Sequence, residues 1–261
     1  MPDRIAISVS GHVTTIVLNR PDVMNAIDPR MHAELEAAFD AYAAAPDQRV
    51  CVVTGAGDRA FCAGSDLKAA HGGDYSEKDY PAHGYAGLVE RFDLDKPVIA
   101  AVNGVALGGG FELALACDII LAAENASFGL PEPRVGAVAL GGGIHRLARQ
   151  IGQKQAMGML LASRRVSAAE GLRLGFVNAV ATPGGLQALV DEWVADILAG
   201  APLAVQATKQ AMLKGLEEPG LAAAMKAQAN YPAWRRWRTS EDGKEGVAAF
   251  VEKRPPVWQG R

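Results

Sequence analysis

Short apolar runs rich in β-branched residues are the feature that most constrains the fold of this chain. Runs of this kind, separated by helical patterns and glycine-rich turns, are typical of strands buried in a core. They lie near residues 4–9, 13–18, 49–54, 97–102 and 118–122. Strands interleaved with helices predict an α/β fold for the first half of the chain.

Helical patterns dominate the second half. Asp28 followed by Pro29 predicts the N-cap and first turn of a helix that runs to about Tyr42. Ser167 predicts a capping box with the glutamate three residues later, and Gly175 predicts the end of that helix. Further helices are predicted at 80–91, 186–199, 202–214, 220–237 and 241–252.

No linker separates the two halves. We therefore predict one structural unit, with a core over residues 1–195 and a helical extension over residues 196–261. A total of 261 residues is enough to bury a large core without disulfides or structural metals.

Charge and cysteine usage narrow the function classes. A net charge of −3 without a dense Lys/Arg block argues against nucleic acid and anionic membranes as partners, and residues 235–238 fit one face of an amphipathic helix. Three cysteines without a C-x-x-C pattern predict reduced thiols in a cytoplasmic protein. The sequence shows no signal-peptide pattern and no apolar run of the ~20 residues that span a bilayer, so we expect a soluble protein.

Motifs for phosphate, metal and hydrolase sites are missing from the sequence. The glycine triplet at 108–110 precedes Phe111 and Glu112, and a glutamate would repel a phosphate. The segment AGSDL at 63–67 departs from the G-x-S-x-G nucleophile turn. We predict no metal site, because these histidines lack ligand spacing: His12, His32, His71, His83 and His145.

Two glycine-containing turns follow predicted strands, in AFCAGSDLK (60–68) and GGGFELALACD (108–118). The second leads into an apolar helix, whose first N–H groups are unpaired and carry a partial positive charge. Glycine lets a ligand carbonyl approach the backbone closely. Side by side, two such turns could give two N–H donors to one oxyanion, although each alone is more often a plain structural turn.

A second glutamate, Glu132, lies between Pro131 and Pro133 in SFGLPEPRVG (127–136). The prolines restrict the backbone on both sides and so present the carboxylate rigidly. Its position within an otherwise apolar stretch distinguishes it from an ordinary surface glutamate, and a loop carboxylate in water is an equally open alternative.

Taken together, these stretches resemble the enoyl-CoA hydratase/isomerase (crotonase) family. The resembling segments are LNRPDVMNAID (18–28), VVTGAGDRAFCAGSDLK (52–68), DKPVIAAVNGVALGGGFELALACDIILA (95–122), SFGLPEPRVG (127–136) and FVEKRPPVWQGR (250–261). The resemblance implies an α/β spiral of ββα turns, with two roughly perpendicular sheets, flanking helices and a helical C-terminal trimerisation region. It also implies a homotrimer or a dimer of trimers.

The resemblance assigns roles to particular residues. Ser65 and Gly109 match the two backbone amides of an oxyanion hole. Glu112 and Glu132 match the paired glutamates of the hydratases, Glu112 mainly activating water and Glu132 mainly protonating Cα, although shared roles are equally tenable. The residues that would contact the acyl-CoA thioester are Ser65, Asp66, Leu67, Lys68 and Gly109. No tightly bound cofactor is implied, because coenzyme A is part of the substrate.

Acyl preference stays open. The family commonly has Pro-Gly at the start of the segment 139–144, where this chain has Ala139 and Leu140, beside the implied acyl pocket.

The block at 84–118 and the ending PPVWQGR are similar to the carnitinyl-CoA dehydratases of the family, which hydrate crotonobetainyl-CoA. A quaternary ammonium substrate would need an aromatic or acidic pocket. The candidates for such a pocket are Tyr75, Tyr80, Tyr85 and Glu90. Enoyl-CoA isomerisation, or acyl-CoA binding without catalysis, would fit the same fold.

Overall fold

Two β-sheets organise the molecule, and the chain alternates between them. The computed structural model describes residues 3–71 and 80–261. The strands are β1 (Ile5–Ser10), β2 (Val13–Leu18), β3 (Val50–Gly55), β4 (Ala60–Cys62), β5 (Val98–Val102), β6 (Val105–Leu107), β7 (Ile119–Ala122), β8 (Ser127–Gly129), β9 (Val166–Ser167) and β10 (Ala179–Val180). One sheet has the order β1-β2-β3-β5-β7-β10, and the other has the order β4-β6-β8-β9.

The strand order produces a spiral. After the antiparallel β1–β2 pair, β3, β5 and β7 join the larger sheet in parallel. Each is followed along the chain by a strand of the smaller sheet, β4, β6 or β8, and these three are also parallel to one another. Each turn of the spiral therefore adds one strand to each sheet, as the resemblance implied.

Helices cover the sheets and form most of the C-terminal part. They are α1 (Pro29–Ala44), α2 (Leu67–His71), α3 (Gly109–Ala116), α4 (Gly143–Ile151), α5 (Gln153–Ala162), α6 (Ala168–Leu174), α7 (Leu186–Leu198), α8 (Pro202–Gly215), α9 (Leu221–Ala227), α10 (Pro232–Arg238) and α11 (Glu241–Glu252). Short 3-10 helices include Pro21–Val23, Tyr85–Gly87, Glu132–Val135 and Gln228–Asn230. Within the described residues, no helix is long and apolar enough to cross a membrane.

The parallel strands of the larger sheet are buried on both faces. Side chains alternate along a strand, so Cys51 and Val53 point into the main core while Val50 and Val52 point the other way. Helix α7 covers the second face through Val190. Burial on both faces explains why these strands are continuous apolar runs rather than alternating ones.

Most of the predicted elements are confirmed. The five predicted strands correspond to β1, β2, β3, β5 and β7, with bounds shifted by at most one residue. Asp28 caps α1, since its carboxylate accepts the Met31 N–H at 2.8 Å. Ser167 caps α6 through the Glu170 N–H, and Gly175 ends that helix with φ +98°. The three cysteines are free and buried.

Two predicted helices are wrong. Only Tyr85–Gly87 of the expected helix at 80–91 is helical, and it is 3-10. Gly84 and Ala86 have φ of +74° and +56°, which interrupt any α-helix. The expected helix at 220–237 is divided into α9, a 3-10 turn and α10, because Pro232 lacks the N–H that a continuous helix needs.

The predicted boundary between residues 195 and 196 falls inside α7, which packs along the larger sheet. The division into a core and an extension stays a prediction. Residues 235–238 lie in α10, as expected.

Candidate functional site

The smaller sheet brings the predicted site residues together. Strands β4, β6 and β8 are parallel neighbours, so their carboxyl ends meet at one edge. Ser65 follows β4, Gly109 follows β6 and Glu132 follows β8. The carboxyl ends of parallel strands are the usual location of ligand sites in α/β folds.

The two glycine-containing turns touch at this edge. A Cβ on Gly64 would lie 2.9 Å from the Leu107 carbonyl oxygen and 3.2 Å from the Gly109 nitrogen, so only glycine fits there. Gly109 is the first residue of α3, at the end where helix N–H groups have no intrahelical partner. The backbones of Ser65 and Gly109 are therefore neighbours across this contact.

Ser65 is held by a parallel bridge to Ile27. Ile27 donates to the Gly64 carbonyl at 2.8 Å and accepts the Asp66 N–H at 2.9 Å. In a parallel bridge of this kind, the backbone N–H of the opposite residue points away from the partner strand. The Ser65 amide is thus directed away from Ile27.

The residues after Ser65 divide into an anchored carboxylate and an exposed pair. Burial tends to raise the pKa of Asp66, but hydrogen bonds from Arg20 and from the Lys68 and Ala69 amides outweigh burial and lower it. The Arg20–Asp66 ion pair is 2.9 Å long. Leu67 and Lys68 are exposed.

Glu112 is a buried carboxyl in the first turn of α3, with 3% of its surface exposed. The Gly143 N–H donates to its Oε1 at 2.8 Å. Burial raises the pKa of Glu112 to about 7, Glu132 adds to the rise, and the Gly143 and Gly141 amides and Arg146 oppose it. A carboxyl with this pKa can both take and give a proton near neutrality.

Glu132 opens a 3-10 helix and is half-buried. Its Oε1 lies 3.3 Å from the position that a Cβ on Gly108 would occupy, so the carboxyl faces the glycine turn. Burial raises the pKa of Glu132. Among the described residues, its buried Oε2 has no hydrogen-bond partner. The charges of the two glutamates interact, so the structure brings both carboxyls into one site, Glu132 against Gly108 and Glu112 against Gly141 and Gly143.

Tyr85 lies at the same place, although sequence reasoning connected it only with a cationic substrate. A Cβ on Gly109 would collide with the Tyr85 hydroxyl and Cζ, and the Ser65 hydroxyl donates to Tyr85 Oη at 3.2 Å. Tyr80 contacts Tyr85 edge-on with ring centroids 5.5 Å apart, whereas Glu90 is exposed. Tyr75 lies outside the described residues. A sequence signal that could have directed attention to Tyr85 is its position between Gly84 and Gly87.

His32, treated as one of several scattered histidines, supports Tyr85. Its Nδ1 accepts the Ala86 N–H at 2.9 Å, and its ring meets the Tyr85 ring edge-on at 4.7 Å. Burial lowers the pKa of His32 to about 4, despite the opposing charge of Asp28. The imidazole is therefore neutral at physiological pH.

The described part of the chain contains one cluster of potential metal ligands. Ligand atoms of Glu36, Asp40 and His83 lie within 4.8 Å of one another. The Arg91 guanidinium is part of the same cluster, 2.8 Å from Asp40 and 3.6 Å from Glu36. Since a cation is already present, the cluster is an ion-pair network. The expected absence of a metal site stays a prediction, and His71 has no described side chain.

The segment that departs from the family pattern borders Glu112. Ala139 is buried and Leu140 is exposed. Three residues beyond Leu140, Gly143 starts α4 and hydrogen-bonds to Glu112. The departure is therefore close to the candidate acid–base group.

Comparison with known proteins agrees with this geometry. The model of the enoyl-CoA hydratase/isomerase family matches residues 8–261. Proteins named carnitinyl-CoA dehydratase from Proteus mirabilis (strain HI4320) and Salmonella enteritidis PT4 are 43% and 42% identical to this chain, with 100% of this chain and of each relative covered.

Solved structures give the same picture. Enoyl-CoA hydratases of Mycobacterium tuberculosis H37Rv and Mycobacterium marinum align with TM-scores of 0.91 and 0.92, at 36% and 38% identity. Each alignment covers 100% of both chains. The chain is thus similar over its whole length to named hydratases and dehydratases.

Proposed function

Because this chain belongs to the enoyl-CoA hydratase/isomerase family, we propose that it adds water across the 2,3 double bond of a trans-2-enoyl-CoA, forming a 3-hydroxyacyl-CoA. The chain is a hydro-lyase of that family. The observation that carries the specific reaction is the pair Glu112 and Glu132, two carboxyls with raised pKa whose charges interact, Glu132 facing Gly108 and Glu112 lying in the helix turn that follows it.

The two carboxyls share one proton in the proposed mechanism. Water attacks Cβ while the ionised carboxylate takes a proton from it, and the protonated carboxyl delivers its proton to Cα. After the reaction, the carboxyl that was ionised carries the proton and the other is ionised, so the total charge of the pair is unchanged. Close carboxyls in a buried site favour this singly protonated state.

The raised pKa of Glu112 affects how the acid and base roles are divided between Glu112 and Glu132. The buried Glu112, with its pKa near 7, holds the shared proton readily in the free enzyme. This supports shared roles for the two glutamates more than a fixed division in which Glu112 is mainly the base. Glu132 Oε2, buried without a protein partner among the described residues, is suited to hold the attacking water.

The proposed oxyanion hole consists of the Ser65 and Gly109 amides. As water adds, negative charge develops on the thioester oxygen, and two aligned N–H donors stabilise it. Each such donor contributes roughly 10²–10³ in rate. Asp66, Leu67 and Lys68 would line the thioester arm of coenzyme A, which enters as part of the substrate rather than as a bound cofactor.

Substitution of each glutamate tests the reaction. We expect the wild-type protein to consume crotonyl-CoA, followed by the loss of its enoyl thioester absorbance. Glu112→Gln and Glu132→Gln should each lower kcat by roughly 10²–10⁴, since proton transfer by a placed group contributes that much. Glu124→Gln, at an exposed glutamate between β7 and β8, is the matched control and should keep full activity.

Near-normal rates in both glutamine variants would exclude the mechanism. If the wild type does not hydrate crotonyl-CoA but converts a 3-enoyl-CoA to the 2-enoyl isomer, the chain is an isomerase of the same family. Binding of coenzyme A thioesters without turnover would instead indicate a non-catalytic member.

A second candidate reaction is the hydration of crotonobetainyl-CoA. The full-length identity of 42–43% to proteins named carnitinyl-CoA dehydratase favours it, as does the edge-on pair of Tyr80 and Tyr85. Aromatic rings bind a quaternary ammonium by about 0.5–2 kcal/mol. If this is the substrate, its kcat/KM should exceed that of crotonyl-CoA, and Tyr80→Leu should lower only the value for the cationic ester, by roughly 2- to 30-fold.

The assembly that we propose is a homotrimer, alone or paired into a hexamer. Its support is the large exposed apolar side chains of α8, α9 and α11, including Met212, Leu221 and Phe250. The proposed location is the cytoplasm, in keeping with three free buried thiols.

A further inference from the structure

We propose that Tyr85 is a catalytic residue, whose phenol hydroxyl is a third hydrogen-bond donor to the thioester oxygen in the oxyanion hole. This rests on the proposed function and adds a side-chain donor to the two backbone amides. Tyr85 is 2% exposed, and its hydroxyl lies against Gly109 and within 3.2 Å of the Ser65 hydroxyl. It therefore touches both residues that would form the hole.

The backbone around Tyr85 is strained. Gly84 and Gly87 have φ of +74° and +65°, and Ala86 between them has φ +56°. An alanine in the left-handed region costs free energy, and such residues persist where the surrounding structure holds them in place. The strain bends the chain so that the Tyr85 side chain points inward at Gly109.

Helix α1 holds the strained segment in position. His32, Glu36 and Asp40 are four residues apart and so share one face of α1. His32 accepts the Ala86 N–H, and the backbone of Gly87 packs so closely on Glu36 that a Cβ would lie 2.6 Å from the Glu36 Cα. Asp40 pairs with Arg91, whose Nε donates to the Gly87 carbonyl at 3.0 Å. The Tyr85 hydroxyl is thus placed by a rigid support.

The phenol of Tyr85 can donate a hydrogen bond as well as accept one. Its oxygen lies 3.2 Å from the Ser65 hydroxyl, beside the proposed position of the thioester oxygen. A phenol proton turns towards an anionic oxygen in preference to a neutral partner, because the bond to the anion is stronger. An enolate-like thioester oxygen, held by the Ser65 and Gly109 amides, would be an anionic acceptor beside this hydroxyl and would form a strong, charge-assisted bond with it.

Tyr85→Phe, which removes only the hydroxyl, tests the role. We expect kcat for crotonyl-CoA to fall roughly 10- to 100-fold, near the lower end of the range for one oxyanion donor, while KM changes less than about three-fold. Tyr42→Phe is the matched control, because Tyr42 is equally buried but donates to the Pro97 carbonyl away from the site. It should leave both constants unchanged.

Acetoacetyl-CoA gives a second readout that a packing role would not change. An oxyanion hole stabilises its enolate, so the bound ester should ionise at a lower pH than the free ester, as seen in its enolate absorbance. Tyr85→Phe should raise that pH by roughly one to two units, which corresponds to the same 10- to 100-fold loss. Tyr42→Phe should not shift it.

Ser65→Ala separates the hydroxyl of Ser65 from its amide. If Ser65 Oγ acts only by orienting Tyr85, the double variant with Tyr85→Phe should match Tyr85→Phe alone. Additive losses would instead mean that Ser65 Oγ acts independently of Tyr85.

The outcomes distinguish the two proposals. A wild type that does not hydrate crotonyl-CoA overturns the proposed function, while the enolate titration still decides the role of Tyr85. Tyr85→Phe with an unchanged enolate titration overturns the donor role, even if kcat falls. A wild type that does not lower the ionisation pH of bound acetoacetyl-CoA overturns the oxyanion hole and the role of Tyr85 together.

Discussion

At the scale of single residues, opposing interactions set the pKa of the Glu112 carboxyl. Burial and the charge of Glu132 raise its pKa, while the amides of Gly143 and Gly141 and the charge of Arg146 lower it. The result, a pKa of about 7, allows proton transfer in either direction near neutrality. The glycines that start α4 are therefore part of the acid–base site.

Gly143→Ala should displace the Glu112 carboxyl and lower the activity. A Cβ there would lie 2.9 Å from Glu112 Oε1 and 3.0 Å from its Cγ, so the carboxyl must move and the bond from the Gly143 N–H must lengthen. We expect kcat for crotonyl-CoA to fall at least about 10-fold, because an ångström of misplacement at a reacting group is costly. Unfolding free energy should fall by about 1–3 kcal/mol from overpacking.

Gly158→Ala is the control for that substitution. Gly158 lies inside α5, and a Cβ there would meet nothing within 4 Å. Alanine in a helix interior should raise the unfolding free energy by about 0.5–1 kcal/mol and leave the rate unchanged. Equal rates for the two variants would show that Gly143 does not position Glu112.

At the scale of elements, α1 and the segment 83–91 form one unit. Three side chains on one face of the helix bind a segment in which only Tyr85–Gly87 is helical, as a single 3-10 turn. The bond from the Ala86 N–H requires an unprotonated His32 Nδ1. The unit should therefore weaken when His32 takes a proton.

The contribution of His32 to the free energy of unfolding should fall as the pH is lowered, while the raised pKa of Glu112 contributes in the opposite direction. The pKa of His32 is about 4 in the folded protein and 6.5 as its ordinary value, so between these values only the unfolded chain takes the proton. The contribution of His32 is complete above pH 6.5 and is lost as the pH falls towards 4, up to about 3 kcal/mol. Denaturant titrations at several pH values measure it.

His32→Gln isolates this contribution, because glutamine does not titrate but its carbonyl oxygen can still accept the Ala86 N–H. The variant should lose less stability than the wild type between pH 7 and pH 4.5. If both proteins show the same pH dependence, His32 is not the titrating group.

At the scale of the whole molecule, the C-terminal helices leave a large apolar surface uncovered. In α11, Phe250, Val251 and Val247 are 86%, 72% and 67% exposed. Contiguous exposed apolar surface of this kind marks an interaction site. In the proposed trimer, neighbouring subunits would cover it.

Phe250→Glu should therefore shift the protein towards the monomer, because a charge placed in a buried contact loses hydration without gaining a partner. Molar mass from light scattering at several concentrations measures the shift. Ile7→Glu, on the edge strand β1, introduces the same charge at an exposed apolar residue remote in sequence and should keep the wild-type mass. A wild type that is monomeric would contradict the proposed assembly.

The sequence alone determined the elements whose causes are local. Strands such as β2 and β3 are long enough to show their apolar pattern, and caps such as Asp28 and Ser167 act within three residues of themselves. The ordered set of resembling segments then indicated the family. These signals need no knowledge of which distant residues meet, and so the α/β class and most helix ends could be read from the chain.

Only the tertiary structure decided the smaller sheet and the geometry of the site. Strands of two or three residues, such as β8 and β9, are too short to show a period and exist because neighbouring strands pair with them. The contacts of Tyr85 with Gly109 and of Gly143 with Glu112 join residues more than twenty positions apart. Packing sets such distances, and packing is a property of the folded chain rather than of any local pattern.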